Sequence, residues 1–266
     1  MRFRAPDRAT LSAAVLTHPL LRDWDMHGWL HGADFPTIDA LNAARPADAN
    51  FRFNAQTNDL LADGLHYEIR IAERSEVATR ANWHDLFNAI AWLRFPMLKR
   101  ALNARQVAEI AVAGPKQRTR AQCALTHFDE AGVVVATDDA SLLALWDAHD
   151  WHGLFWRERA AWSDGRVAVV VFGHALAEHA LVPRQTLVGK ALVVRMCDAD
   201  AAIGTIATAI AGGRTLNDPQ ELRPLPLSGI PGWHPDGGTA AFYRDAPCFR
   251  PLRRGRCYPP PLPAAR

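Results

Sequence analysis

Between Trp83 and Leu93 the apolar positions recur with helical spacing. At about 100° per residue, Trp83, Leu86, Phe87, Ile90 and Leu93 share one side, while His84, Asp85, Asn88 and Trp92 share the other. Asn82 stands where its side-chain oxygen caps a helix, and Asp85 falls in the first turn, where a carboxylate suits the positive end. Phe95-Pro96 ends this helix, because a proline disfavours helical geometry at the residue before it. A second helix is predicted from Pro96 through Leu98, Leu102 and Val107.

The other patterns give a mixed chain. Leu65 to Ile71 alternates and predicts a strand with Leu65, Tyr67, Ile69 and Ile71 facing in. Leu125–Phe128 and Val133–Val135 flank Asp129-Glu130-Ala131-Gly132, which predicts a hairpin over 124–137 with Gly132 at positive φ. From Asp139 a long helix is expected, carrying Leu142, Leu143, Trp146, Trp151, Phe155, Trp156 and Trp162, with Gly153 bending or dividing it. Val167 to Phe172 is a continuous apolar run, the mark of a buried central strand. Gly173-His174 opens a short helix that Pro183 ends. Residues 191–195 form another strand, and an Ala-rich helix over 198–212 stops at Gly212-Gly213.

The last fifty residues hold 11 of the 18 prolines, so they read as an extended arm. Ile230, Trp233, Phe242, Tyr243 and Phe249 make its middle apolar enough to pack on the domain, and the final ten residues are expected to be disordered. The fold class is α+β: a small mixed sheet from strands near 65–71, 124–137, 167–172 and 191–195, packed by Trp-rich helices, with an extended proline-rich C-terminal arm. Residues 1–64 form an irregular segment packed on the core, with one helix entered through Thr37. Residues 65–216 form the core and 217–266 the arm, as one compact domain.

Composition narrows the classes. A net charge of +2 over 266 residues gives no global field for nucleic acid. Only Lys99, Lys116 and Lys190 are lysines among 30 basic residues, an Arg bias that lowers the information in any one arginine. No apolar run approaches the roughly 20 residues that cross a bilayer, so no membrane insertion is expected. Asp7 and Arg8 interrupt the N-terminal apolar patch, against a secretory leader. Four scattered cysteines give neither a disulfide framework nor paired zinc spacing. They fit a cytoplasmic location with reduced thiols, although Cys248 and Cys257 would meet if the tail folded back.

Candidate chemistry gathers at the helix start near residue 84. Arg80 and the free N–H groups of that helix end suit an anionic group. Neutral His84 suits a base or metal ligand, with Asp85 or Asn88 beside it. A solvated, well-capped helix face accounts for the same residues. Trp92 on the polar side wants cover from a ligand or a neighbour. His174 sits at a strand-to-helix junction, where ligands collect in sheets flanked by helices. The sequence there, GHALA, has no Ser or Cys where a GxSxG elbow places its nucleophile, which excludes an α/β-hydrolase triad.

Asp129 and Glu130 sit on the predicted turn, a role Asp fills for hydrogen bonding alone. His27 and His31 have i, i+4 spacing but lack the Glu of HExxH, and Gly28 and Gly32 weaken a helix there. His149, Asp150 and His152 read as a solvated face of the long helix. Lys116, Arg118 and Arg120, with nine tryptophans in the chain, could serve bases and phosphates. Residues 246–266 carry five arginines and no acid. No glycine-rich phosphate loop, dinucleotide fingerprint or RNA-binding signature appears, and no motif names a cofactor or metal.

Four stretches carry a family likeness. They are TRANWHDLFNAIAWLRFPMLKRALNARQ (79–106), LTHFDEAG (125–132), VVVFGHAL (169–176) and LPLSGIPGWHPDGGTAAFYRDAPCFRPLR (225–253). Together, from about Leu65 to Arg253, the chain resembles the bacterial domain-of-unknown-function family 3025. The resemblance implies one compact bacterial domain and carries over no catalytic residues. From the residues themselves, the leading expectation is a hydrolase-type enzyme. Its site would be built on His84, Asp85 and Asn88, joined by Asp129, Glu130 and His174, with Arg80 and Trp92 toward substrate. The rival expectation is a noncatalytic binding module for nucleic acid or a protein partner. A salt-sensitive affinity would mark the module, and a sheltered pocket would mark the enzyme.

Overall fold

The structure is a computed structural model that describes residues 3–264. The N-terminal segment contributes α1 (Pro19–Trp24), α2 (Ile38–Ala43), β1 (Arg52–Ala55) and α3 (Asn58–Leu61). Thr37 caps α2 as expected, its hydroxyl accepting from the Ala40 N–H at 3.1 Å. The segment predicted as a strand over 65–71 is instead α4 (Tyr67–Arg74), followed by β2 (Glu76–Thr79). The His66 ring caps α4 by accepting from Glu68 N, and Ser75 closes it in the left-handed region at φ 57°. Alternation misled because Arg70 counts as a solvent-facing position in a strand. In the helix Arg70 is buried beside Ile71 and pairs with Asp63 and Glu76. Strand β2 pairs in parallel with β1, a two-stranded sheet absent from the sequence expectation.

Helices α5 (Trp83–Arg94) and α6 (Pro96–Ala113) follow as expected. Asn82 caps α5, accepting from Asp85 N at 2.8 Å. The helix is less amphipathic than its pattern suggests. Trp83, Leu86, Phe87 and Ile90 enter the main core, while Ala89, Trp92 and Leu93 enter a second core with Leu41, Phe51, Phe53, Ile71 and Val77. Trp92, expected on a polar face, is 2% exposed because β1 and β2 cover it.

The predicted hairpin over 124–137 is half helix. Helix α7 (Arg120–Ala131) leads directly into β3 (Gly132–Ala136), so Asp129 and Glu130 occupy a last helical turn rather than a tight turn. Thr119 and Gln122 close a capping box at the start of α7. Gly132 has φ −66°, so its glycine character serves space, not a positive φ. A Cβ there would overlap the Phe128 carbonyl oxygen and lie 2.9 Å from its ring.

The long Trp-rich helix expected from Asp139 is broken. Helix α8 (Ala140–Asp147) stops before His149, which takes φ 54°. The arm holds that break open. His149 contacts the Arg250 carbonyl at 3.0 Å and the Tyr258 hydroxyl at 2.9 Å, and the Trp151 indole donates to the same carbonyl at 2.7 Å. His149 is thus an anchor for the arm, not part of a solvated helix face. A π-helical turn at Gly153–Arg157 and a 3-10 turn at Arg159–Trp162 complete the segment.

Then come β4 (Ala168–Val171), α9 (His174–Ala180), β5 (Val188–Arg195), α10 (Ala199–Ala211), β6 (Arg223–Pro226), α11 (Phe242–Asp245) and β7 (Leu262–Pro263). The main sheet has the order β4-β3-β5-β6, with β7 also on β5. Strand β3 pairs antiparallel with β4 and parallel with β5, and β5 takes β6 antiparallel and β7 parallel. The sheet is mixed, as expected, but β4 lies at its edge and not at its centre. Of the final ten residues, expected to be disordered, 265 and 266 lie outside the described residues, and the others are held: Leu262 and Pro263 extend the sheet, and Arg223, buried, donates to the Pro259 carbonyl and pairs with Asp147. Cys248 and Cys257 are unpaired, as are Cys123 and Cys197. No helix among the described residues is long and apolar enough to cross a membrane.

One junction sets the position of the polar residues. Val133 opposes Val171, so the start of β3 and the end of β4 meet. The N–H groups of Phe172 and Gly173 both donate to the Gly132 carbonyl, at 2.9 and 2.8 Å. A Cβ on Gly173 would overlap Ala131 and Gly132 backbone, with the Ala131 carbonyl carbon 2.5 Å away. The end of α7 and the start of α9 are therefore locked backbone to backbone. Gly173→Ala is expected to cost about 1–3 kcal/mol, the range of core overpacking, since no rotamer relieves a backbone clash. Urea unfolding checks this; an unchanged midpoint would mean the two ends separate freely.

Candidate active site

The junction delivers His174, first residue of α9, against Asp129 and Glu130 at the end of α7. Helix α5 approaches from the other side and brings His84 in its first turn. His174 Nε2 lies 3.3 Å from His84 Nε2 and 3.6 Å from Glu130 Oε2. One ligand-type atom from each of these three residues falls within 4.8 Å of the others. Each ring has a carboxylate on its far side. Glu178 Oε2 is 3.0 Å from His84 Nδ1, and Asp129 Oδ2 is 4.0 Å from His174 Nδ1.

A buried polar chain runs on from there. Lys99 Nζ donates to Asp129 Oδ1 at 2.6 Å and to Asn88 Oδ1 at 2.9 Å, and Asn88 Nδ2 donates to the Tyr67 hydroxyl at 2.9 Å. Nearby, Asn103 donates to Glu68 Oε2 at 2.6 Å. Apart from Glu178, these residues line one cleft of about 570 Å³, together with Arg80, Trp92, Lys116 and Arg118. That volume suits a small substrate.

Burial sets the ionisation here. The His174 imidazole, 3% exposed, is pushed down to about 3 by desolvation, against the pull of Asp129, so it is neutral. Burial and then the Asp129 charge raise the Glu130 carboxyl. Burial would raise Asp129 as well, but the Lys99 ammonium holds it below the ordinary carboxylate range. The Glu178 hydrogen bond raises His84 despite partial burial. A neutral imidazole, a carboxylate primed to take a proton and a fixed ammonium thus share one cleft.

The sequence-predicted residues divide. His84, Asp129, Glu130 and His174 converge, and Asn88 belongs to the chain that holds Lys99. Asp85 is spent locally: its Oδ2 accepts from Arg80 N at 2.7 Å and Arg80 Nε at 3.2 Å, fixing the entry to α5. Arg80 reaches the cleft but shares its guanidinium with Asp85. Trp92 lies in the cleft wall with Lys99 over its ring at 5.5 Å, and its indole N–H has no partner. His27 and His31 do not act together: His27 packs on Trp29 and His31 pairs with Asp25.

Sequence reasoning missed Lys99, Glu178, Tyr67, Glu68 and Asn103. Two signals were present. Lys99 is one of three lysines in an Arg-rich chain, and Glu178 stands four residues after His174, on the same helix face.

The fold and cleft define an α+β protein with a polar, histidine-bearing cleft among α4, α5, α6, α7 and α9. The family described as protein of unknown function (DUF3025) matches residues 51–253, and the chain belongs to that family. Neither a curated protein nor a solved structure matches it.

Proposed function

We propose that the chain is a hydrolase whose reaction centre is the cluster of His84, Glu130 and His174. The observation that carries this is the convergence: three residues from three helices place their donor atoms within 4.8 Å of one another in a cleft of substrate size. His84 and His174 would hold a water molecule. Its oxygen forms a bond to the acyl or phosphoryl centre of the substrate, and one of its protons passes to Glu130. The bond to the leaving group then breaks, and Glu130 returns the proton to the leaving atom. Glu178 would orient His84, and Asp129, fixed by Lys99, would face His174 with its negative charge. Arg80, with Lys116 and Arg118 at the rim, would hold an anionic group of the substrate, and Trp92 would wall the pocket.

The test is turnover of p-nitrophenyl acetate, p-nitrophenyl phosphate and bis(p-nitrophenyl) phosphate by the full chain and by Glu130→Gln. At least one ester should be cleaved, with a loss of about 10²–10⁴-fold in the variant. Equal rates for both proteins on every ester would remove the hydrolase reading.

A further inference from the structure

We propose that His84, Glu130 and His174 form a binding site for a single divalent transition-metal ion of the zinc type, with Glu178 as the outer carboxylate that orients His84 and Asp129 as the carboxylate that faces His174. The argument rests first on donor spacing. Two ligands on a tetrahedral zinc ion, with bonds of about 2.0–2.1 Å, lie roughly 3.3–3.4 Å apart. The two Nε2 atoms are 3.3 Å apart, and His174 Nε2 is 3.6 Å from Glu130 Oε2. A 3.3 Å separation is long for an N–H···N hydrogen bond.

The second support is the far side of each ring. A metal-bound histidine characteristically gives its other N–H to a carboxylate, carbonyl or water, which fixes the tautomer. Glu178 faces His84 Nδ1 at 3.0 Å, and Asp129 is the carboxylate nearest His174 Nδ1, at 4.0 Å. His174 Nδ1 makes no hydrogen bond itself. With protons on both Nδ1 atoms, the two Nε2 lone pairs, 3.3 Å apart, have no proton between them, and a cation is what such a pair accepts. Two histidines and one carboxylate are the donor set of an open zinc site, with a fourth position left for water.

The third support is access. His174 is buried at the base, but the side chains of His84 and Glu130 are 43% and 40% exposed. An ion can therefore enter from the cleft, and the fourth position opens toward it. If the chain is a hydrolase, the ion supplies acidity to the water; a singly ligating Glu130 keeps its other oxygen for the proton. That clause alone rests on the functional reading above; the binding argument does not.

Isothermal titration of the chelator-treated full chain with Zn²⁺ tests the site, with Co²⁺ absorption as a check on coordination. One ion per chain should bind, and Co²⁺ should show the intense visible bands of a tetrahedral site. His84→Ala and Glu130→Gln should abolish this binding, and Glu178→Gln should weaken it by about 10–100-fold with every ligand still present. His84 and Glu178 are chosen because neither fills the core, and a thermal melt of each variant confirms folding. No stoichiometric binding, or binding untouched in these variants, overturns the proposal. Ester turnover in excess chelator together with no stoichiometric binding would keep the hydrolase and remove the ion. Stoichiometric binding without turnover would keep the ion and remove the hydrolase.

Discussion

Lys99→Met is expected to lose about 3–5 kcal/mol of unfolding free energy, the usual cost of breaking a buried ion pair from one side. The Lys99 side chain is 5% exposed and its ammonium holds Asp129 and Asn88 at once. Methionine keeps the length and the apolar stem, so packing changes little, but Asp129, three-quarters buried, is left without its cation. The double variant Lys99→Met/Asp129→Asn removes both charges and should recover most of the loss. Urea denaturation of the single and double variants at pH 7 decides the matter. If both fall equally, the lost Lys99–Asn88 hydrogen bond and not the ion pair carries the stability.

Arg70→Met should cost about 3 kcal/mol or more for the same reason, at a residue that does not itself line the cleft. The Arg70 side chain is 1% exposed and bridges Asp63 and Glu76, tying α4 to β2 and to the loop before α4. Its partners add a pH signature. The Glu76 carboxyl is held below its ordinary range by hydrogen bonds from Arg52 and then Arg70, and Asp63 by the Leu65 N–H and then Arg70. A carboxyl depressed in the folded state stabilises above its unfolded value, about 4, and that contribution fades as pH falls through the folded value. The wild-type chain should therefore lose stability on acidification below about pH 4, and Arg70→Met should lose less over the same interval. Denaturant midpoints at pH 7 and pH 3 measure the difference. Parallel acid losses in both proteins would assign the acid sensitivity to other carboxylates.

The sequence was most legible where one pattern had one explanation. Helices α5 and α6, with the Asn82 cap and the Pro96 start, are local facts: a capping oxygen, a proline and a 3.6-residue period. It was least legible where two periods fitted. Residues 65–71 alternate, yet Tyr67, Arg70 and Ile71 also sit one helical turn apart, and only the distant acids Asp63 and Glu76 decide. The end of α7 read as a turn because Asp-Glu-Ala-Gly has turn composition, although Gly132 is required by its closeness to Phe128. At the site, His84 and His174 could be picked out singly. Their meeting could not, since it depends on the backbone lock at Gly132 and Gly173, which leaves no periodic trace. The break at His149 was invisible for a like reason: its partners, Arg250 and Tyr258, lie a hundred residues on.

The way the arm completes the sheet has a consequence for biosynthesis. Strand β5 pairs with β3 on one side, but its other side waits for β6 and β7, which emerge from the ribosome later. Until then the nascent chain carries a bare ribbon of amide and carbonyl groups beside an apolar core, a template for sticking to its own kind. The proline-rich segment thus acts as a late seal, and a nascent chain stalled before residue 223 is the one that chaperones must shield.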